Sequence, residues 1–402
     1  MRILHVTPYF EGAWAYGGIP RAAACMVQGL VARGHRVTVC TTDACRPDSR
    51  LPAAMEAAVT SGGSADVRVF RNLSNAAAYH LQFFLPIGLS SYLTSHAGQF
   101  DIAHLHGCHH IPGSIAARHL RRAGVPYLVT PNGTAPYIER RRAAKRLFDA
   151  TLGRGMLSGA AHVIAVSEAE RTQLSELGLD SGEMTVVPNP VNLGEFSEVA
   201  HGKLRQRFGI GEDEKLVLYL GKLTPRKRLD TLVEAFAGLS GQGTRLVIAG
   251  NDMGYGRTLE SLIDRFGIRP RTVLTGLLTG PGRLEALADA DVVAYASELE
   301  VFGIVAVEAL LCGTPVVVAD DSGCGEVVRE VGGGLVVPPG DANALRGAIS
   351  EILADPIKWG ASAAAARELC VRYSSEQVAQ TLEKTYAHVL YKSRGMQMSA
   401  AV

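Results

Sequence analysis

The sequence predicts an α/β protein built from two doubly wound parallel sheets that face each other across a cleft. Three observations carry this. Short apolar strands alternate with helical patterns along nearly the whole chain, as parallel sheets with crossover helices require. The stretch Pro188-Asn189-Pro190 interrupts that series, and a second series of the same kind follows it. At 402 residues the chain is too long for one ordinary core, so two domains are the natural division.

The first series opens with the strand Ile3-Leu4-His5-Val6, a loop containing Gly17-Gly18, and a helix over 19–33 with Ala22, Met26, Val27, Leu30 and Val31 at helical spacing. Gly34-His35 ends that helix, and Val37-Thr38-Val39 is the next strand. Further strands are read at Ile102–Leu105, Tyr127–Val129, His162–Ala165 and Met184–Val187. Residues 188–212 read as a linker. The second series has strands at Leu216–Leu220, Arg245–Ala249, Val273-Leu274, Val292–Tyr295 and Pro315–Val318. From about 341 three helices follow, the last amphipathic over about 375–392, with a disordered tail from Lys392. The expected domains are therefore 1–190, 191–374, and a terminal segment 375–402.

Composition excludes several classes. Hydrophobic residues make up 47% and charged residues 20%, with a net charge of +1, so nothing argues for nucleic acid. Residues 1–192 hold 18 basic and 13 acidic side chains, a net +5, against −4 for the remainder. The seven cysteines have no metal-ligand spacing and read as small core residues of a reducing compartment. Met1–Thr7 is too polar for a signal peptide, and no apolar run is long enough to span a bilayer. A cytoplasmic location is expected.

In open parallel sheets, ligands sit beyond the carboxyl ends of the strands, so chemistry is sought in the loops that follow them. The most informative segment runs from Ser297 through Glu300, Phe302, Gly303, Ile304, Val305 and Glu308 to Gly313-Thr314-Pro315. A helix beginning near Gly303 offers unpaired N–H groups to an anion, and carboxylates at 300 and 308 are good acceptors for sugar hydroxyls. The plain alternative is a pair of solvated helix-surface acids.

The whole string resembles the signature of glycosyltransferase family 4, the group 1 glycosyltransferases, with Ala296-Ser297 where Pro-Ser is usual. The resemblance covers essentially the whole chain. It implies the GT-B fold of two Rossmann-like domains, a nucleotide-diphosphate sugar as co-substrate, retention of anomeric configuration, no metal and no separate cofactor. Gly221-Lys222-Leu223 through Lys227 looks like the family's Gly-Arg-Leu…Lys-Gly loop, whose cations grip the diphosphate. Lys222 replaces the Arg and cannot form its bidentate fork; Arg228 replaces the Gly, and Arg226 and Arg228 are expected to face solvent. Gly276 and Leu277 match the loop bordering the nucleotide base. Gly17 and Gly18 resemble the glycine pair whose amides reach the donor phosphate. Asp101–Gly107 resembles Asp-Val-Val-His-x-His, which places His106 near the donor sugar and leaves His104 a buried structural role. His104, His106, His109 and His110 together suggest a metal only weakly, because no carboxylate joins them. Asn132 stands where the family often has His or Arg, and Pro188–Asn192 resembles Pro-Asn-Gly-Val-Asp, with Pro190 and Asn192 departing.

The expected catalytic residues are thus His106, Glu300 and Lys227. The expected donor-binding residues are Gly17, Gly18, Lys222, Lys227, Gly276, Leu277, Phe302, Gly303, Ile304, Val305 and Glu308. Glu300 is expected to orient sugar hydroxyls and Glu308 the ribose. No enzymic nucleophile is evident, so same-face attack by the acceptor is expected. The acceptor implied by relatives is a saccharide or lipid-linked saccharide of surface polysaccharide synthesis. The apolar stretch 76–93 and the basic run Arg140, Arg141, Arg142, Lys145 and Arg146 fit either peripheral binding at the inner membrane face or a core helix with a solvated face. Rival functions are a sugar-nucleotide epimerase and a non-catalytic nucleotide-sugar-binding protein; a phosphorylase would need a pyridoxal lysine and a longer chain.

Overall fold

The computed structural model describes all residues except 47, 54–55, 57–64, 137–141, 152, 154, 240–242, 321–322 and 396–402. The chain divides into two compact units, one formed by Met1–Val191 with the chain from Ser375 onward, the other by Asn192–Ser374.

The first unit contains β1 (Arg2–Val6), β2 (Arg36–Thr42), β3 (Asp66–Phe70), β4 (Ile102–His106), β5 (Tyr127–Thr130), β6 (His162–Ala165) and β7 (Met184–Val186). They form one parallel sheet in the order β3-β2-β1-β4-β5-β6-β7. The second unit contains β8 (Lys215–Leu220), β9 (Thr244–Ala249), β10 (Thr272–Gly276), β11 (Val292–Tyr295), β12 (Val316–Ala319) and β13 (Gly334–Val337). Its parallel order is β10-β9-β8-β11-β12-β13. Each sheet is doubly wound, with its order reversing at one place: between β1 and β4 in the first unit, between β8 and β11 in the second. Such switch points open a crevice at the strands' carboxyl ends, where ligands bind.

The strands form where apolar β-branched residues cluster, and those inside the sheets are buried on both faces. One face of the first sheet is covered by helices Gly18–Ala32 and Ser375–Ser393. Val378, Ala379, Leu382, Tyr386 and Val389 of the second helix join Ile3, Leu30, Val37, Val39 and Ile102 in one core. Gly29 allows this crossing, since a Cβ there would collide with the Ser375 carbonyl oxygen. Where the chain re-enters the unit, the Ser375 amide donates to the Val191 carbonyl at 3.0 Å.

Several expectations need correction. The stretch read as a linker over 188–212 is largely ordered, with a 3-10 turn at Leu193–Phe196 and a helix at Lys203–Phe208. Asp289 accepts the amides of Leu204 at 2.7 Å and Arg205 at 3.1 Å, which caps that helix. Strands β3 and β13 are additional to those read from the sequence. The stretch 76–93 is not one helix: Asn75–Leu81 and Leu89–His96 are separate, with Tyr79, Phe84, Leu89 and Leu93 buried and Leu81, Phe83 and Ile87 exposed. The last helix runs to Ser393, and the rest of the expected disordered tail lies largely outside the described residues, as do Arg140 and Arg141.

Candidate functional site

In the second unit the loops after β8 and β11 emerge at the switch point. The first closes in a 3-10 turn at Pro225–Lys227, from which Lys227 is directed into the protein and is 5% exposed. The second places Glu300 beside it, and the two form an ion pair in which Lys227 is buried and Glu300 is half-buried. Tyr295, at the end of β11, completes the cluster. Lys227 Nζ donates to Tyr295 Oη at 2.5 Å, and Tyr295 Oη donates to Glu300 Oε2 at 3.1 Å. Tyr219 of β8 stacks on Tyr295 with ring centroids 5.8 Å apart, and its hydroxyl donates to the Lys222 carbonyl at 2.9 Å. Burial would raise the Glu300 carboxyl, but Lys227, Arg226 and hydrogen bonds from Lys227 and Tyr295 outweigh it and hold it at about 2.

Arg226 and Arg228 do not simply face solvent. The Arg226 carbonyl accepts the Glu298 amide at 2.9 Å, while Arg228 pairs with Asp230 at 3.1 Å and with Glu298. These contacts staple the two loops together and hold Lys227 against Glu300.

Helix Ile304–Leu311 begins just after this loop. Gly303 has a φ of 67°, in the left-handed region, and a Cβ there would meet Cys324 Sγ, so only glycine fits this turn. Ile304 and Val305 are half-buried, and Phe302 is buried edge-on to Tyr373, with centroids 5.6 Å apart. Glu308 is not a solvated surface acid. It pairs with Arg283 at 2.5 Å, both side chains being 5% exposed or less, and Arg283 also reaches Glu195 at 2.7 Å. Gly276, with a φ of 70°, ends β10, and its carbonyl accepts the Gly250 amide at 2.9 Å. Leu277 and Lys222 are half-buried.

In the first unit, Gly17 and Gly18 sit at the start of helix Gly18–Ala32, Gly17 capping it. His106 ends β4 and is buried with His5 and His104. Burial, with a smaller contribution from His110, lowers its imidazole to about 3. His104 bonds Tyr386 Oη and Thr130 Oγ1, both at 2.6 Å. Asn132 has a φ of 52°, and its side-chain oxygen accepts from Asn189 Nδ2 at 2.8 Å. The adjoining turn is held by Glu170, whose carboxylate accepts the Gly133 amide at 2.5 Å and the Val166 amide at 2.8 Å. Burial lifts Glu170 to about 7, against the lowering effect of those two amides.

Tyr295, Arg283, His5 and Glu170 were missed by sequence reasoning. Tyr295 and His5 carried a signal, as polar-tipped residues at the ends of switch-point strands. Arg283 and Glu170 carried none, because their partners are remote in sequence or are backbone amides.

Two parallel, doubly wound sheets, each with one switch point, define a Rossmann-like α/β protein of two units, and comparison with known proteins is specific. Residues 201–369 match the family described as glycosyl transferases group 1, and residues 17–190 match the glycosyl transferase 4-like domain. The D-inositol 3-phosphate glycosyltransferase of Xylanimonas cellulosilytica is 32% identical over 311 residues, covering 72% of each chain. That of Mycolicibacterium smegmatis is 31% identical over 269 residues, 65% of this chain and 61% of the relative. Among solved structures, Anabaena HepE in complex with UDP and glucose superposes with a TM-score of 0.74 at 22% identity, over 96% of this chain and all of that one. Sucrose-phosphate synthase from Thermosynechococcus elongatus gives 0.74 at 23% identity, over 98% and 100%. The chain belongs to the group 1 glycosyltransferases of family 4 and has the GT-B fold. Among the described residues, no helix is long and apolar enough to cross a membrane.

Proposed function

We propose that the protein transfers a sugar from a nucleotide-diphosphate sugar to an acceptor hydroxyl with retention of configuration and without a metal. The observation that carries this is the buried Lys227–Tyr295–Glu300 cluster at the second unit's switch point. In the transfer, the acceptor oxygen bonds to the anomeric carbon as the bond from that carbon to the phosphate oxygen breaks. The electron pair leaves with the diphosphate, and the acceptor's proton passes to the departing phosphate oxygen. Attack and departure share one face, so configuration is kept. Lys227 and Lys222 balance the growing phosphate charge, and amides near Gly303 support them. Glu300 orients sugar hydroxyls, Glu308 the ribose, and Gly276 and Leu277 border the base. His106 is assigned to the sugar and the Gly17-Gly18 amides to the phosphate. The acceptor is a saccharide or lipid-linked saccharide, with work at the inner face of the membrane supported by exposed Leu81, Phe83 and Ile87.

Thermal-shift screening of UDP-, GDP- and ADP-sugars tests donor binding. Acceptor trials follow, including D-inositol 3-phosphate, the acceptor that the relatives' name indicates. Retention predicts a product with the donor's anomeric configuration, formed equally well in EDTA. Inversion, or activity abolished by EDTA, overturns the mechanism. Donor isomerisation without acceptor favours an epimerase, and binding without turnover favours a non-catalytic protein.

A further inference from the structure

The switch point of the first unit carries three imidazoles whose hydrogen bonds are not symmetric. Strands β1 and β4 pair in parallel with His5 opposite His104. Side chains two apart share a face, so His5, His104 and His106 lie together on one side of the sheet. The His104 and His106 rings stack with centroids 4.4 Å apart, and those of His5 and His106 are 5.0 Å apart. His104 is saturated by Tyr386 and Thr130. His5 Nδ1 and His106 Nε2 are 2.9 Å apart. His5 Nε2 and His106 Nδ1 are buried, and neither has a partner among the described residues. The His106 carbonyl accepts from His110 Nε2 at 2.8 Å, which fixes the strand end that carries the ring.

One proton lies between His5 and His106, so the two neutral rings must share a tautomer. If His106 donates, both carry Nε2–H, and His5 is left with a permanently orphaned buried N–H. If His5 donates, both carry Nδ1–H, and His5 is left with an orphaned lone pair. Buried orphan acceptors are tolerated better than buried orphan donors. In the free protein the two arrangements tie, since each leaves one orphan donor and one orphan acceptor on His5 Nε2 and His106 Nδ1. Once a sugar hydroxyl satisfies His106 Nδ1, only the His5 orphan remains, and the second arrangement, with His106 Nδ1–H as donor to that oxygen, is the favoured one.

We infer that His5 is a positioning residue: its Nδ1–H donates to His106 Nε2, fixing the tautomer in which His106 Nδ1–H is offered to a hydroxyl oxygen of the donor sugar. This rests on the assignment of His106 to the sugar made above. A cation held by the same three rings fits less well. It would require His104 to release Tyr386 or Thr130, each bonded to one of its two nitrogens at 2.6 Å.

The test uses the full chain with 15N-labelled histidine. With the sugar nucleotide bound, long-range 1H–15N spectra, assigned with His106→Phe, should show His106 protonated at Nδ1 alone. His5→Asn keeps an amide N–H near the position of Nδ1–H and should preserve that signature. His5→Phe keeps a ring without the bond and should give a tautomer mixture. With whichever sugar nucleotide the screen shows to be turned over, His5→Phe should lower kcat by roughly tenfold or more. KM should stay within about threefold, and His5→Asn should recover most of the rate. The inference is overturned if His106 carries its proton at Nε2 in the parent with the sugar nucleotide bound, if the Nδ1–H signature survives in His5→Phe under the same conditions, or if the parent holds a stoichiometric metal that His5→Phe loses. Full turnover by His106→Phe with the signature intact in the parent would instead refute the role of His106 at the sugar while leaving the His5 bond standing.

Discussion

Arg283→Met should be among the most damaging single substitutions in the second unit. Arg283 and Glu308 are 2.5 Å apart with side chains 5% and 3% exposed, so water cannot take the place of either. Removing one member of a buried pair strands the other and typically costs about 3–5 kcal/mol. Glu195, the second partner, is 37% exposed and can rehydrate, so it adds little. Replacing both members by apolar groups of similar volume is often nearly neutral. Arg283→Met with Glu308→Met should therefore be more stable than Arg283→Met alone, by about 2 kcal/mol or more on the same principle. The chain has two tryptophans, Trp14 in the first unit and buried Trp359 in the second. In a Trp14→Phe background, urea unfolding followed by Trp359 fluorescence reports on the second unit. With a slope of about 2–3 kcal/mol per M, the Arg283→Met midpoint should fall by roughly 1–2 M. A fall below about 0.3 M, or a double variant no better than the single, would refute the reasoning.

Lys227→Ala should lower donor affinity or turnover by about 1.5–3 kcal/mol, the scale of a charge-assisted contact; a rate within about twofold of the parent sinks its assignment to the diphosphate. Glu170→Gln should change the pH profile of stability. The Glu170 carboxyl rises from its usual range near 4.5 to about 7 in the folded protein, so the native state holds the extra proton. Its contribution is full below about pH 4.5 and is lost as pH rises through 7, by up to about 3 kcal/mol. The parent should therefore lose stability relative to Glu170→Gln between pH 5 and 8, and a constant difference in Tm across that window contradicts the shift. Tyr386→Phe strips His104 Nδ1 of its 2.6 Å partner and should cost the first unit about 1–3 kcal/mol, read by Trp14 fluorescence in a Trp359→Phe background; no change means that His104 finds another partner.

The sheets were legible because most of their strands are short runs of Val, Ile, Leu and Ala, such as Leu128-Val129 and Val316-Val317-Val318, that a parallel interior requires on both faces. Strands β3 and β13 escaped because they lie at sheet edges. Asp66-Val67-Arg68-Val69-Phe70 alternates polar and apolar residues, and Gly334–Val337 follows two glycines that read as a turn. The ordered stretch after Asn192 escaped for another reason. Its helix is only Lys203–Phe208 and is capped by Asp289, 85 residues from Leu204. A cap donated from so far away leaves no local pattern.

The candidate sites show the same division between placement and partnership. Loops that follow strands can be found from strand ends, and within those loops the resemblance to the family's motifs singled out Lys227, Glu300 and His106. Which charge faces which cannot be found that way. Lys227 and Glu300, read as separate contacts for phosphate and sugar, are bound to each other and to Tyr295. Any anion that takes Lys227 must compete with a carboxylate already held there, so the cluster favours a ligand with more charge than one carboxylate and hydroxyls for Glu300 in exchange. A nucleotide-diphosphate sugar has both. Glu308 is held by Arg283 from the protein side through one carboxylate oxygen, a pair that the proposed ribose contact need not break. Substitution at Glu308 should therefore lower stability as well as ribose binding, and substitution at Lys227 should act first through the ligand, although both residues are charged, buried and follow strands of the same sheet.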